Sequence, residues 1–242
     1  MFLGNLVKSV SASSKRIPVQ GIAFDSRKVS KNDIFFVIKG NKTSGVKYIR
    51  EAISRGASVI ISDKKNQKKN QKVPFVLVKD SRKSLSEACS NYYRKKPKNI
   101  IAVTGTNGKS SVAHFFYQIL ELNKIAVATI GTLGIFSKKY KKKTKLTSVD
   151  PLTLHKNLEV LAKNNVKHVI LEASSHGLDQ KRLNNLNINT GIFTNLSHDH
   201  LDYHKSMKSY LNSKIYLFDN LLKKNSRIIT DENNKEFKII KK

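Results

Sequence analysis

Nine residues, Val103-Thr104-Gly105-Thr106-Asn107-Gly108-Lys109-Ser110-Ser111, constrain this chain more than any other segment. An apolar run at 100–104 reads as a buried strand, and 109–122 reads as a helix. The turn between them carries two glycines, which reach backbone angles that other residues avoid. Loop amides and a helix N-terminus then face the same point, which suits phosphate oxygens. Lys109 would add a point charge there, and the Ser110 hydroxyl would reach a nucleotide-bound Mg²⁺. The usual eight-residue phosphate-loop spacing is not met. Its first position holds Val103, and the first glycine is Gly105. The loop is therefore a shortened form, with Gly105, Thr106, Asn107, Gly108, Lys109, Ser110 and Ser111 as nucleotide-binding candidates.

Elements on either side of this loop divide the chain in two. Residues 1–98 hold short β-like runs at 21–24, 34–38, 59–61 and 75–78. A helical pattern at 46–55 ends at Gly56, a second helix begins after Ser81, and 64–72 reads as a polar loop. Residues 99–242 alternate strands (100–104, 125–130, 168–172, 191–195, 227–230) with helices (109–122, 151–164, 206–219). That alternation predicts an α/β fold built from parallel βαβ units. The expected organisation is a small α/β domain, 1–98, followed by a phosphate-loop domain with a parallel sheet, 99–242.

Charge points elsewhere at first sight. Lys and Arg number 46 against 17 Asp and Glu, a formal net charge of +29. Such a surface attracts polyanions, nucleic acid included. The lysines, however, are spread along the chain, in runs such as 138–143 and singly, and read as solvated surface accompanying a compositional bias. No aromatic–basic RNA motif or paired zinc-ligand spacing is present, so no specific nucleic-acid partner is expected. No apolar stretch reaches the length of a membrane span or a secretory signal, and the single cysteine, Cys89, fits a helix core. These features predict a cytoplasmic protein without membrane insertion.

Further chemistry lies in the second half. Glu172 closes an apolar strand, and the carboxyl end of a parallel strand is where ligands bind. A carboxylate there, beside a phosphate loop, can ligate Mg²⁺. The segment Asp199-His200-Leu201-Asp202-Tyr203-His204 is dense in possible metal ligands. Taken singly, each histidine reads better as a core or capping residue. Lys214, by spacing alone, reads as a solvated helix lysine.

Four segments together resemble the Mur ligase family. They are Val103 to Ser111 (VTGTNGKSS), Leu171 to Leu178 (LEASSHGL), Thr194 to His204 (TNLSHDHLDYH) and Gly21 to Arg27 (GIAFDSR), with Asp33-Ile34-Phe35-Phe36 beside the last. The resemblance covers nearly the whole chain in the family's order, and Ser174-Ser175-His176-Gly177-Leu178 is similar to the type that adds the third amino acid. It implies a uridine-binding domain, a central ATPase domain and a third domain for the incoming amino acid. The expectation is that this chain carries the first, an incomplete second and none of the third, and so does not ligate alone. The implied reaction is ATP-dependent amide formation. A carboxylate of UDP-N-acetylmuramoyl-L-Ala-D-Glu becomes an acyl phosphate, which the amine of diaminopimelate or lysine then displaces. The resemblance gives Lys109, Glu172, His200 and Lys214 catalytic roles. It assigns the first Mg²⁺ to Ser110 and Glu172, and a second to His200 and a carbamylated Lys214. Substrate contacts fall on Ser26, Thr147, Ser148, Ser174, Gln180 and Arg182. Where the family has Asn-Thr-Thr-Pro this chain has Leu146-Thr147-Ser148-Val149, and leucine makes none of an amide's hydrogen bonds. His198 stands where the family commonly has arginine.

Two other readings compete. One is another superfamily member, a dipeptide-adding ligase or a folylpolyglutamate synthase, disfavoured by Ser174–Leu178 and by Asp25-Ser26-Arg27. The other is a binding fragment for UDP-substrate or ATP that carries no catalysis.

Overall fold

The computed structural model describes residues 1–40, 44–64 and 73–240, so most of the polar loop expected at 64–72 lies outside the described residues. The chain divides into two units, Met1–Arg94 and Lys95–Lys242. The division falls slightly before the expected boundary at 98. Residues 95–98 lead into the second unit, where the Lys95 and Lys96 charges act on Glu159 and His155.

The first unit contains helix α1 (Leu3–Leu6), strands β1 (Gly21–Ala23) and β2 (Asp33–Phe36), helix α2 (Ile49–Ser54), strands β3 (Val59–Ser62) and β4 (Phe75–Leu77), and helix α3 (Ser81–Tyr92). The four strands form one parallel sheet in sequence order. Asp33 to Phe36 and Val59 to Ser62 are buried throughout. This is why they read as continuous apolar runs rather than alternating ones. Asp80 caps α3 by accepting from the amides of Arg82 and Lys83, and Cys89 is buried in that helix. The helix expected at 46–55 opens as a 3₁₀ turn, Gly45–Tyr48, before α2.

The second unit runs β5 (Asn99–Thr104), α4 (Lys109–Leu122), β6 (Val127–Gly131), β7 (Gly134–Ser137), β8 (Tyr140–Lys142), α5 (Pro151–Lys163), β9 (His168–Glu172), α6 (Ser175–Asp179), β10 (Ile188–Phe193), α7 (Leu201–His204), α8 (Met207–Tyr216), β11 (Leu222–Thr230) and α9 (Phe237–Ile240). Its seven-stranded sheet has the order β11-β10-β5-β9-β6-β7-β8. The first five are parallel, and β7 and β8 continue the sheet as an antiparallel hairpin. Sequence periodicity did not resolve that hairpin, because its strands are short and its lysines mimic a solvated run. Helix α6 was likewise too short to carry a period.

Strand β5 feeds both faces. Ile100 and Ala102 pack with Leu154, Leu158 and Leu161 of α5, whereas Ile101 and Val103 pack with Ala113 of α4. Asp150 caps α5 with Pro151 at its first turn, a pairing that suits a helix start. The connection from β5 leads through α4 to β6, past β9, while the chain leaving β9 returns to β10 on the other side of β5. The carboxyl ends of β5 and β9 thus flank a topological switch point, where open α/β sheets place ligands.

Leu158 is fully buried in the largest core cluster. Leu158→Ala should lower unfolding stability by about 2–5 kcal/mol, read by urea denaturation. A loss under about 1 kcal/mol would mean that α5 does not seal this face of the sheet.

Candidate active site

The switch point opens into a cavity of about 280 Å³. Residues 105–111 line it together with Thr132, Thr147, Glu172, Ser174, Ser175, His200, Tyr210 and Lys214. All seven nucleotide-binding candidates and all four catalytic candidates therefore meet in one wall. Of the substrate candidates, Thr147 and Ser174 line it as well. Ser148, Gln180 and Arg182 do not, and Ser26 belongs to the other unit, where its hydroxyl donates to Glu51 Oε2 (2.7 Å).

The loop takes its shape from the end of β10. Gly105 has φ +147° and Gly108 φ +81°, and a Cβ on Gly105 would lie 1.9 Å from Thr194 Oγ1. Thr194 Oγ1 donates to Asn107 O (2.6 Å), Thr106 N donates to Asn195 O (2.9 Å), and Asn107 N donates to Asn195 Oδ1 (3.0 Å). Thr106 Oγ1 meets Tyr210 OH (3.1 Å) and accepts from Ser197 N (3.0 Å). Beyond the loop, the first amides of α4 have no acceptor within their own helix, and residues 108–111 line the cavity. Lys109 Nζ donates to Gly105 O (2.9 Å) and Thr106 O (2.6 Å), and burial holds its pKa below the ordinary lysine value.

Glu172 is buried and held from two sides. Ser110 Oγ donates to Oε2 (2.8 Å), while Thr132 donates from its amide to Oε1 (2.9 Å) and from its hydroxyl to Oε2 (3.1 Å). Gly131 makes room for it, since a Cβ there would lie 2.0 Å from Oε1. Thr132 Oγ1 also touches Thr147 Oγ1 (3.0 Å). Sequence reading overlooked Thr132, Tyr210, Thr194 and Asn195. No spacing rule marks them, although Thr194 and Asn195 open a segment that resembled the family.

Ser148 knits the floor together. Its hydroxyl donates to Glu172 O (2.8 Å) and accepts from Ser174 N (2.9 Å) and Ser174 Oγ (3.0 Å). It is buried and lies behind the wall, so its hydroxyl positions Ser174 rather than gripping a ligand. Arg182 donates to Ser148 O and, through Nε and NH2, to Gln180 Oε1 (3.2 and 2.7 Å). Leu146 is exposed.

Lys214 overturns its spacing-based reading. It is 1% exposed, donates from Nζ to Gly105 O (2.7 Å) and lies 4.1 Å from the Tyr210 ring centre. Burial first, then the charge of Lys109, push its pKa down to about 7, against the opposing pull of Asp199. His200 adopts a left-handed conformation at the head of α7 (φ +52°), its amide donating to Asp199 Oδ1 (2.8 Å). His176 packs edge-on to it at 4.9 Å and also against Tyr203 and His204, while His198 is exposed. Among the described residues no three His, Cys, Asp or Glu side chains gather as a metal-holding group. The Ser110–Glu172 oxygen pair nevertheless fits a hard cation that takes its remaining ligands from water and phosphate.

The Lys214 shift has a thermodynamic consequence of defined sign. Unfolded lysine keeps its proton to about pH 10.4, whereas the folded group releases it near 7. Below that value both states are protonated and the burial penalty is constant; above it the unfolded state binds more protons, so stability rises with pH. Relative to Lys214→Met, the wild type should gain stability from about pH 7 to about pH 10, read by urea denaturation at a series of pH values. A constant difference across that window would rule out a depressed lysine.

Two family models match this chain: the Mur ligase middle domain over residues 103–242, and the Mur ligase family catalytic domain over residues 18–93. A UDP-N-acetylmuramoyl-L-alanyl-D-glutamate–2,6-diaminopimelate ligase of Bradyrhizobium diazoefficiens is 43% identical over 206 residues, 85% of this chain and 42% of the relative. One of the same name from Rickettsia montanensis is 41% identical over 227 residues, 92% of this chain and 47% of the relative. The chain thus spans less than half the length of these curated relatives. A solved structure of such a ligase superposes with a TM-score of 0.83 at 29% identity, over 99% of this chain and 49% of that one. The MurF ligase of Thermotoga maritima in complex with ADP shares the fold at 19% identity, with a TM-score of 0.56 over 91% of this chain and 48% of that one. With a family model matched over more than half its length and such relatives across most of the rest, the chain belongs to the Mur ligase family.

Proposed function

We propose that this chain provides the ATP site and the acyl-activating surface of an ATP-dependent ligase. The enzyme would join a diamino acid to UDP-N-acetylmuramoyl-L-Ala-D-Glu during peptidoglycan synthesis in the cytoplasm. The single observation that carries this reading is the meeting of a phosphate loop, Glu172 and a buried Lys214 in one cavity. The names of the relatives favour diaminopimelate as the amino acid added.

In this reading the amides at the head of α4 and the Lys109 ammonium receive the β- and γ-phosphates. Lys109 leaves its two carbonyl partners to do so. Ser110 and Glu172 would hold Mg²⁺, which neutralises charge as the γ-phosphoryl group passes to the substrate carboxylate. Thr132 fixes both carboxylate oxygens of Glu172, so the ligand geometry is set before nucleotide arrives. Thr147 and Ser174, which also line the cavity, would orient the muramoyl peptide. Bringing two anions and an amine together in one geometry can supply roughly 7–11 kcal/mol of such a barrier. Ser26, in the first unit, would contact the uridine diphosphate portion.

Lys214 has the properties required for carbamylation. Its amine is shielded from bulk water and titrates at about 7, so a large neutral fraction exists at physiological pH. A neutral amine can add CO₂ with release of one proton to water, and the resulting carbamate would provide an anionic oxygen in the cavity that His200 also lines, for a second cation.

Lys109→Ala should weaken Mg·ATP binding by at least tenfold in isothermal titration calorimetry, as expected for loss of a charge-assisted contact of about 1.5–3 kcal/mol. Unchanged affinity would remove the loop from the nucleotide site. In ¹³C-bicarbonate, wild type should show a carbamate carbon resonance that Lys214→Met lacks. As the amine must be neutral, its intensity should be low below about pH 6 and grow through 7 to 8. Absence of the signal across that range would exclude the modification.

A further inference from the structure

We propose that the lysine hairpin β7–β8 is an electrostatic collector that draws nucleoside polyphosphates into the adjoining cavity. The inference rests on the nucleotide-binding reading above. Six lysines, at 138, 139, 141, 142, 143 and 145, fall within eight residues, and no acidic residue occurs from Thr132 to Val149. All six are exposed, and none has an ion-pair partner among the described residues.

The hairpin is rooted in the cavity wall at both ends. Thr132 precedes it, Thr147 follows it, and their hydroxyls touch at 3.0 Å. Thr144 Oγ1 donates to Gly131 O (3.2 Å), which ties the returning strand to the end of β6. Lys145 is two residues from Thr147, at most about 7 Å of extended chain. That is inside the Debye length of about 8 Å at physiological ionic strength. Lys142 and Lys143 are near the same root, since Lys142 O approaches Gly134, which pairs with Gly131. Lys138 and Lys139 lie at the far turn.

The hairpin is also stiff. Tyr140 packs on the main core, its hydroxyl donates to Asn157 Oδ1 (2.6 Å) and Ser137 Oγ donates to Tyr140 O (3.3 Å). A fixed array of like charges at a cleft raises the local concentration of a polyanion and its association rate, and does so more strongly for a more highly charged ligand. The cavity holds Lys109 and Lys214 for contact at short range. The hairpin acts earlier, on diffusion.

The test is stopped-flow association of a fluorescent ATP analogue with three variants. The rim variant is Lys142→Gln/Lys143→Gln/Lys145→Gln, and the tip variant is Lys138→Gln/Lys139→Gln. The control removes three charges from the opposite edge of the sheet, Lys223→Gln/Lys224→Gln/Arg227→Gln. At low salt the rim variant should associate about 3–10 times more slowly, the tip variant should fall between it and wild type, and the control should match wild type. Dissociation rates should agree within about twofold, because affinity lost through steering is lost on association. The rim deficit should shrink from triphosphate to diphosphate and vanish near 1 M salt, where the Debye length is about 3 Å. Equal slowing in rim and control variants would show that only net charge matters, and an unchanged rim rate would leave the hairpin without this role; either result overturns the proposal. Failure of wild type to bind the analogue at all would instead overturn the nucleotide reading on which it rests.

Discussion

The site depends on the grip that the end of β10 exerts on the phosphate loop. Thr194 and Asn195 hold the peptide groups of Thr106 and Asn107, and Thr194 leaves no space for a side chain at Gly105. A loop that receives phosphate on its amides cannot fold over them, so its remaining polar groups must be satisfied from outside. Here they are satisfied by the neighbouring strand, which joins the loop to the same sheet that carries Glu172. The spacing between the loop and Glu172 is thereby set by the pairing of β10, β5 and β9 rather than by a flexible connection.

Two buried polar groups of opposite kind line this cavity. Glu172 accepts from Ser110 and twice from Thr132, a pattern that holds both oxygens in a fixed plane. Lys214 has one carbonyl acceptor and an aromatic face, less than an ammonium ordinarily requires. The difference matters because burial with few partners disfavours an ammonium, which is why the Lys214 pKa is pushed down. Both line a single cavity, one as a carboxylate held from two sides and the other as a buried amine whose pKa is pushed down.

Around this centre the positive charge acts at two ranges. Lys109 and Lys214 are mostly buried, and each lowers the proton affinity of its surroundings. The hairpin lysines are exposed and cost little to maintain, since exposed charges are hardly desolvated. They occupy the antiparallel extension of the sheet, where a hairpin can be added without disturbing the parallel core.

The sequence by itself determined the parallel α/β core, most of its strands and helices, the phosphate loop and the family. Each of these rests on short-range regularities: a buried strand is a continuous apolar run, a cap precedes its helix, and a glycine loop must lie between strand and helix. Glu172 was legible for the same reason, as a carboxylate closing an apolar strand. Tertiary structure alone decided that Lys214 is buried, that Ser148 supports the wall instead of lining it, and that Thr132 and Tyr210 belong to the site. It also decided that the lysine run at 138–143 turns back as a hairpin beside the cavity. These facts depend on which residues far apart in the chain come to share one space. A lysine has the same letter whether water or a tyrosine ring and a carbonyl surround it, and only the packing of α8 under the phosphate loop distinguishes the two.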